Sequence, residues 1–256
     1  MAVIARSAKK GPNRMDLVRK HYPEVDFGGY TSVSGTPVFY LRANALLRPD
    51  SVVLDVGCGR GAWLESGNPV DHLRNFKGRC AEAIGIDVDE AGATNASLDR
   101  FALIENGRWP LEDASVDLMI ADYVMEHIED VDGFFREASR VLRPGGYLCI
   151  RTPNKYFYVS VLSRLIPNSL HVKLLGRVQE GRQAEDVFPT VYRCNTRRAL
   201  LRAFERHGLS GVAMAHEAEP LYLTFNRLAF WFGILHQRFA PRFLRANLFA
   251  FAKKIR

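Results

Sequence analysis

A carboxylate, a cluster of glycines and a second carboxylate mark the part of this sequence best equipped to hold a small molecule. Val52-Val53-Leu54-Asp55-Val56-Gly57-Cys58-Gly59-Arg60-Gly61 runs from an apolar, β-branched stretch into a loop of alternating glycines. Glycine lets the backbone take positive φ and come close to a ligand, and a helix opening after such a loop would add free amide donors. Further along, Ile84-Gly85-Ile86-Asp87 ends a second apolar run in a carboxylate, the place where a group accepting two ribose hydroxyls is expected. Taken alone, Gly57-x-Gly59-x-x-Ala62 also passes as a nicotinamide-dinucleotide loop.

Asp55 separates the two kinds of ligand. It stands just before the first glycine, where a dinucleotide's pyrophosphate would be repelled and the cationic methionine part of S-adenosylmethionine (SAM) would be attracted. Asp87 fits either ligand. Both acids could also simply cap the turns that follow their strands, the ordinary role of such residues.

The elements that must position these groups alternate in type. Apolar runs at Val52 to Val56, Ala83 to Ile86, Val116 to Ala121 and Tyr147 to Ile150 read as strands. Asp89 to Phe101 and Val131 to Leu142 read as helices, the second ended by Arg143-Pro144-Gly145-Gly146. Strand and helix in alternation imply βαβ units and a parallel sheet covered on both faces. Ahead of them, residues 1–34 mix charge, Gly and Pro and read as a loosely ordered arm, whereas Pro37 to Leu47 has helical spacing. Residues 35–256 are expected to form one domain. Within it, 154–193 interrupts the alternation as an insertion beside the site. A helix near Thr196 to His207 and strands near Gly211 to His216 and Asn247 to Lys254 resume it.

In this order the blocks resemble the class I SAM-dependent methyltransferases, especially the broad group similar to small-molecule and quinone-biosynthesis enzymes. Val52 to Gly61 resembles the first motif of that family and Gly85-Ile86-Asp87 the second. Glu105-Asn106-Gly107-Arg108-Trp109-Pro110-Leu111 is similar to the adenine-contacting loop, with Trp109 in place of the usual Leu and Asn106 where a small residue is frequent. Ser115 to Leu118 resembles the entry to the fourth strand, and Val141 to Leu148 the turn into the fifth. The resemblance covers roughly residues 50 to 152 and implies a Rossmann-like, doubly wound, seven-stranded, mostly parallel sheet, with helices on both faces and a substrate cap from the C-terminal half. It implies SAM as cofactor, bound by Asp55, Gly57, Cys58, Gly59, Gly61, Asp87 and Val88, by Glu105, Asn106 and Trp109 around the adenine, and by Asp122 and Tyr123 after the fourth strand.

Pro153-Asn154 and the stretch from Asp186 to Thr196 resemble methyltransferases of bacterial cell-surface glycan and lipid-linked sugar pathways. That resemblance implies O-methylation of a sugar or lipid-linked glycan hydroxyl. A small aromatic or quinone-type hydroxyl is the alternative acceptor, and a non-catalytic SAM-binding partner protein would carry the same loop.

Two histidines are candidates for the catalytic base. His127, in Asp122-Tyr-Val-Met-Glu126-His127, follows the fourth strand where an acceptor approaches, and His171 lies in the insertion; each could instead be a structural histidine. Glu126-His127 resembles part of the Glu-x-x-Glu-His metal site of quinone-biosynthesis O-methyltransferases, but Tyr123 replaces the first Glu, so no metal is expected. Arg182, Arg193 and Arg197 could grip an anionic acceptor or merely form a solvated face. Residues 221–240 are rich in Phe, Trp and Leu; they suit a helix buried over the sheet or one lying in a membrane interface.

Composition narrows the classes. The chain has 256 residues, 47% apolar, and a net charge of +7 that suits an anionic partner or solubility. The basic excess lies in the C-terminal half: no acidic residue follows Glu219. Nucleic acid is not the expected partner, because Asp122-Tyr123-Val124-Met125 stands where an Asn/Asp-Pro-Pro-Tyr motif would serve base methylation. The four cysteines show no paired short spacing, so neither zinc nor disulfides are suggested. With no apolar leader and no long uninterrupted apolar run, a cytoplasmic protein is expected, with peripheral membrane contact through 221–240 as the second reading.

Overall fold

The apolar runs pair into one seven-stranded sheet ordered β3-β2-β1-β4-β5-β7-β6 in the computed structural model, which describes residues 14–65, 67–165 and 189–255. The strands are β1 (Val52–Val56), β2 (Glu82–Asp87), β3 (Arg100–Leu103), β4 (Val116–Asp122), β5 (Leu142–Pro153), β6 (Leu209–His216) and β7 (Asn247–Lys254). β1 to β5 are parallel, and β7 runs antiparallel between β5 and β6. The chain leaves β1 outward to β2 and β3 and returns at β4. The β1/β4 boundary is therefore the switch point where ligands of such sheets settle, beyond the carboxyl ends of the strands.

Successive strand residues feed two cores, as a two-residue period requires. Val53, Leu118, Ile120 and Cys149 face one side, where α2 (Gly35–Leu46) covers them with Phe39, Tyr40 and Ala43. Leu54, Val56, Met119, Ala121 and Ile150 face the other. There α3 (Val131–Val141) and α5 (Arg197–Arg206) bury Phe134, Phe135, Leu200 and Phe204. The latter two helices start on a side-chain cap: Asp130 accepts from the Gly133 amide and Thr196 from the Ala199 amide.

Three local expectations change. Asp89 to Phe101 is not a helix: a short 3-10 turn, Glu90–Thr94, leads into β3. Gly92 packs flat against the Phe101 ring, and Asn95 turns back to the glycine loop, neither of which a continuous helix would allow. In the segment read as a loose arm, α1 (Arg14–His21) forms, because Leu17 and Val18 are buried. They are covered by Phe230 and Ile234 of α6 (Arg227–Phe239). Thus α6 packs on α1 rather than on the sheet. Of the insertion, residues 154–165, including α4 (Tyr158–Leu165), and residues 189–193 are described.

Candidate active site

The glycine loop leaves β1 through residues that only glycine suits. Gly57, Gly59 and Gly61 take φ of 67°, 50° and 71°, where other residues are strained. A Cβ on Gly57 would press on Val124 and one on Gly61 on Asn95, whereas at Gly59 it would meet nothing within 4 Å. The loop is therefore pinned at both ends and open in the middle, on the side a ligand would fill.

Its amides point inward. The Gly57 and Cys58 N–H groups both reach the Ile86 carbonyl, at 2.8 and 3.3 Å, and the Gly59 N–H donates to Asp87 Oδ2 at 2.9 Å. Three successive donors are thus spent within the protein, and the turn that follows, Ala62–Glu65, is a single 3-10 turn. A pyrophosphate site needs free amides and an α-helix N-terminus, so this loop is poorly made for a dinucleotide. Asn95, which motif spacing does not pick out, locks the loop from outside: its Nδ2 donates to the carbonyls of Cys58 (3.0 Å) and Gly59 (3.2 Å).

The charge around the loop favours a cation. No hydrogen bond or ion pair to the Asp55 carboxylate forms among the described residues. Burial, compounded by the Asp122 and Asp87 charges and offset by Arg74, pushes Asp55 up to about 7. A bound ammonium or sulfonium would relieve that cost. Asp87 is 8% exposed, and each of its oxygens accepts one amide, Gly59 at Oδ2 and Asp89 at Oδ1. A carboxylate has further lone pairs, so ribose hydroxyls can still be accepted. Val88, 62% exposed, follows at once and offers an apolar surface to a ring. Cys58 is buried and its thiol is held protonated by burial, which leaves it a packing role.

At the end of β4 the groups are already partnered. Arg151, 2% exposed, forks onto Asp122 through Nε (2.5 Å) and Nη2 (2.6 Å), and the Tyr40 hydroxyl donates to Asp122 Oδ2 at 2.9 Å. Burial alone would raise the Asp122 carboxyl, but the Arg151 guanidinium outweighs it and holds Asp122 below the ordinary carboxylate range. Arg151 also lies 4.8 Å from the Tyr123 ring centre. Tyr123 has φ 58° and donates its hydroxyl to Asn247 at 3.2 Å, so a strained residue forms the lip of the site.

His127 Nδ1 lies 2.8 Å from the Pro189 carbonyl oxygen. A carbonyl can only accept, so Nδ1 carries a proton; in the neutral imidazole Nε2 then keeps its lone pair, 4.0 Å from Glu126 Oε1. Glu126 is itself buried and accepts from the Thr152 hydroxyl at 2.9 Å.

The structure gathers Asp55, Gly57 to Gly61, Asp87, Val88, Asp122, Tyr123 and His127 around the carboxyl ends of β1, β2 and β4. It does not bring Trp109 to an open face. That ring is 4% exposed, packs on Phe134 at 5.4 Å, and its amide donates to Glu137. Glu105 and Asn106 sit in an exposed turn closed by the Glu105–Arg108 bridge. Arg193 lines a cavity of about 270 Å³ with Arg202 and Arg206, between α3 and α5. His171 and Arg182 lie outside the described residues, and no cluster of three metal-ligating side chains occurs among those described.

A family model described as a methyltransferase domain matches residues 38–213. The chain belongs to this family. A Mycolicibacterium smegmatis protein bearing the name probable S-adenosylmethionine-dependent methyltransferase is 35% identical over 108 residues, 40% of this chain and 38% of that one. A ubiquinone biosynthesis O-methyltransferase of Chelativorans is 30% identical over 114 residues, 40% of each chain. The chain thus spans about two-fifths of the length of the curated relatives it matches. A crystal structure of a SAM-dependent methyltransferase from Archaeoglobus fulgidus superposes with a TM-score of 0.56 over 90% of this chain and 97% of that one, at 17% identity, which shows the fold. The cofactor of the methyltransferase domain is SAM. The residues at the loop fit such a group: a carboxylate at Asp55 unpaired among the described residues, open space at Gly59 and spare acceptor capacity on Asp87.

Proposed function

We propose that this methyltransferase domain transfers the methyl of SAM to a hydroxyl oxygen of a sugar or lipid-linked glycan. Bound SAM supplies an already activated sulfonium methyl, so the chain's own task is mostly to position the acceptor in line and exclude water. The acceptor oxygen gains the carbon as its bond to sulfur breaks, and the hydroxyl proton leaves. His127 is the group proposed to take that proton on Nε2, where the resulting charge would face the Glu126 carboxylate.

One observation supports a polyhydroxylic acceptor. Among the described residues the buried Tyr158 hydroxyl and Glu217 Oε2 have no hydrogen-bond partner. They flank His236, whose ring lies 5.1 Å from that of Tyr158 and whose Nδ1 is 4.0 Å from Glu217 Oε1. Burial pushes Glu217 up to about 7, so at neutral pH it can accept or donate. Tyr222 lies within electrostatic reach of both Tyr158 and Tyr123, which links this cluster to the lip of the site. Orphan buried polar atoms cost stability, and a rotation of the Tyr158 or His236 ring that opened the cluster would let a ligand rich in hydroxyls satisfy them.

The test is transfer of tritiated methyl from SAM into a cell extract fractionated into lipid, polysaccharide, nucleic acid and small molecules. Label in the lipid-linked or polysaccharide fraction supports the reading. Label in small aromatic compounds would replace it with the quinone-type acceptor suggested by the Chelativorans relative. No incorporation by a protein that binds SAM would make the domain a non-catalytic partner.

A further inference from the structure

We propose that the outward face of α6 docks on an anionic phospholipid bilayer. The helix is apolar nearly all round, which a short helix on a protein surface ordinarily is not. Phe230, Gly233 and Ile234 are buried against α1 and the Pro220–Leu223 turn. Leu228, Trp231, Phe232 and Phe239 recur at helical spacing on the opposite side and are 69%, 48%, 62% and 76% exposed. Phe225, just before the helix, and Phe243, just after it, are 71% and 63% exposed. No helix among the described residues is long and apolar enough to cross a membrane, so an apolar face of this kind would lie in an interface rather than span it.

Charge decides the occupant. Arg227 and Arg238 lie about three turns apart and therefore on one edge of the apolar stripe, and Arg242 follows at its end; all three are exposed. No acidic residue occurs after Glu219. Aromatic rings flanked by arginines with no carboxylate among them suit the acyl boundary beneath anionic headgroups. A second protein surface would more often bring charge of both signs. The face neighbours the site, because the turn holding Tyr222 leads directly into α6. The inference goes beyond the acceptor reading and does not depend on it: SAM binding would survive the loss of docking.

The experiment is co-sedimentation of the full chain with phosphatidylcholine vesicles with and without phosphatidylglycerol, followed by Trp fluorescence. Binding to the anionic vesicles, weakened by salt and accompanied by a blue shift, is expected. A Trp231→Ser/Phe232→Ser variant should lose at least about tenfold in partitioning, since two large rings no longer leave water. Leu41→Ser, on an exposed apolar residue of α2, should lose nothing. A Leu228→Ser/Phe239→Ser variant, checked for unchanged melting and SAM binding, repeats the test on other residues of the stripe. Absence of sedimentation with anionic vesicles, or equal loss in Leu41→Ser, overturns the proposal. So does a lipid-free dimer that the Trp231→Ser/Phe232→Ser change dissociates, which would assign the face to a second copy of the chain.

Discussion

SAM affinity should depend on pH through Asp55. Burial above all pushes its carboxyl up to about 7 in the protein alone, whereas a bound sulfonium and ammonium would favour the anion. A carboxyl with that value is ionised in roughly one molecule in eleven at pH 6 and in about three of four at pH 7.5. If binding requires the anion, affinity should therefore rise about eightfold between these values, or about 1.2 kcal/mol. The window stays below about 7.7, the lower end of the usual α-amino range, so the ligand's own ammonium is largely retained. Isothermal titration calorimetry in two buffers of different ionisation enthalpy gives both numbers. Binding at pH 6 should release nearly one proton, and much less at pH 7.5. The same group acts on stability with the opposite sign in the free protein. Its folded value lies above the unfolded one, so its contribution is fully present below the unfolded value and is lost as pH rises through about 7. The melting shift produced by SAM should accordingly grow with pH. Asp55→Asn should bind more weakly and show neither trend. A flat affinity across the window with no proton release would refute the assignment of Asp55 to the cationic end of SAM.

Further outcomes follow from the same geometry. Arg151→Met strands the buried Asp122 charge, at a cost of about 3–5 kcal/mol, and should lower the melting temperature by roughly 6–20 °C at neutral pH; melting near wild type would show that the pair is dispensable. Gly59→Val puts its Cβ where no protein atom lies within 4 Å, so beyond the backbone strain of φ 50° it should act on the ligand: SAM binding, read by calorimetry, should be abolished while circular dichroism stays native. Gly61→Ala, which meets Asn95 as well as positive φ, should instead show a lower urea midpoint. With an identified acceptor, His127→Ala should reduce kcat by about 10²- to 10⁴-fold if Nε2 takes the proton. His127→Asn, which can still donate to the Pro189 carbonyl, should be equally slow, and near wild-type turnover in it would leave the histidine a positioning role.

What sequence makes legible here is whatever short-range pattern encodes. The strand-glycine-strand spacing around Asp55 and Asp87 carries its own geometry, and alternating apolar runs disclose a sheet buried on both faces. Asn95 escapes such reading because its role exists only once β2 brings its loop beside Cys58 and Gly59. The stretch Asp89 to Phe101 has enough apolar residues to suggest a helix, yet Gly92 under Phe101 and the turn at Asn95 are tertiary demands that override it. Arg151 left a signal: a charge inside Leu148-Cys149-Ile150-Arg151-Thr152, a run otherwise suited to a central strand, must find a partner. Which partner depends on the β4–β5 register, which sets Asp122 opposite Arg151. Trp109 lies in a loop whose pattern suggests ligand contact, but the pocket beside Phe134 was large and apolar enough to claim the ring.

The Arg151–Asp122 pair also explains why Asp55 can be the group that meets a cation. Three carboxylates, Asp55, Asp87 and Asp122, converge at the switch point, and left alone they would raise one another until some were neutral. Arg151 holds Asp122 as an anion that is already compensated, and Asp87 accepts two loop amides. Asp55 is left with only the more distant help of Arg74, which is ion-paired with Asp71 at 3.3 Å and lies over the Tyr40 and Trp63 rings. The Arg151 carbonyl meanwhile accepts the Tyr123 amide at 2.7 Å, and the guanidinium lies beside the Tyr123 ring. One buried side chain and its own peptide therefore fix the charge at the end of β4 and the left-handed turn at Tyr123. If Asp55 meets the cofactor and Tyr123 the acceptor, the two roles would be coupled through β5, a strand whose residues need touch neither ligand.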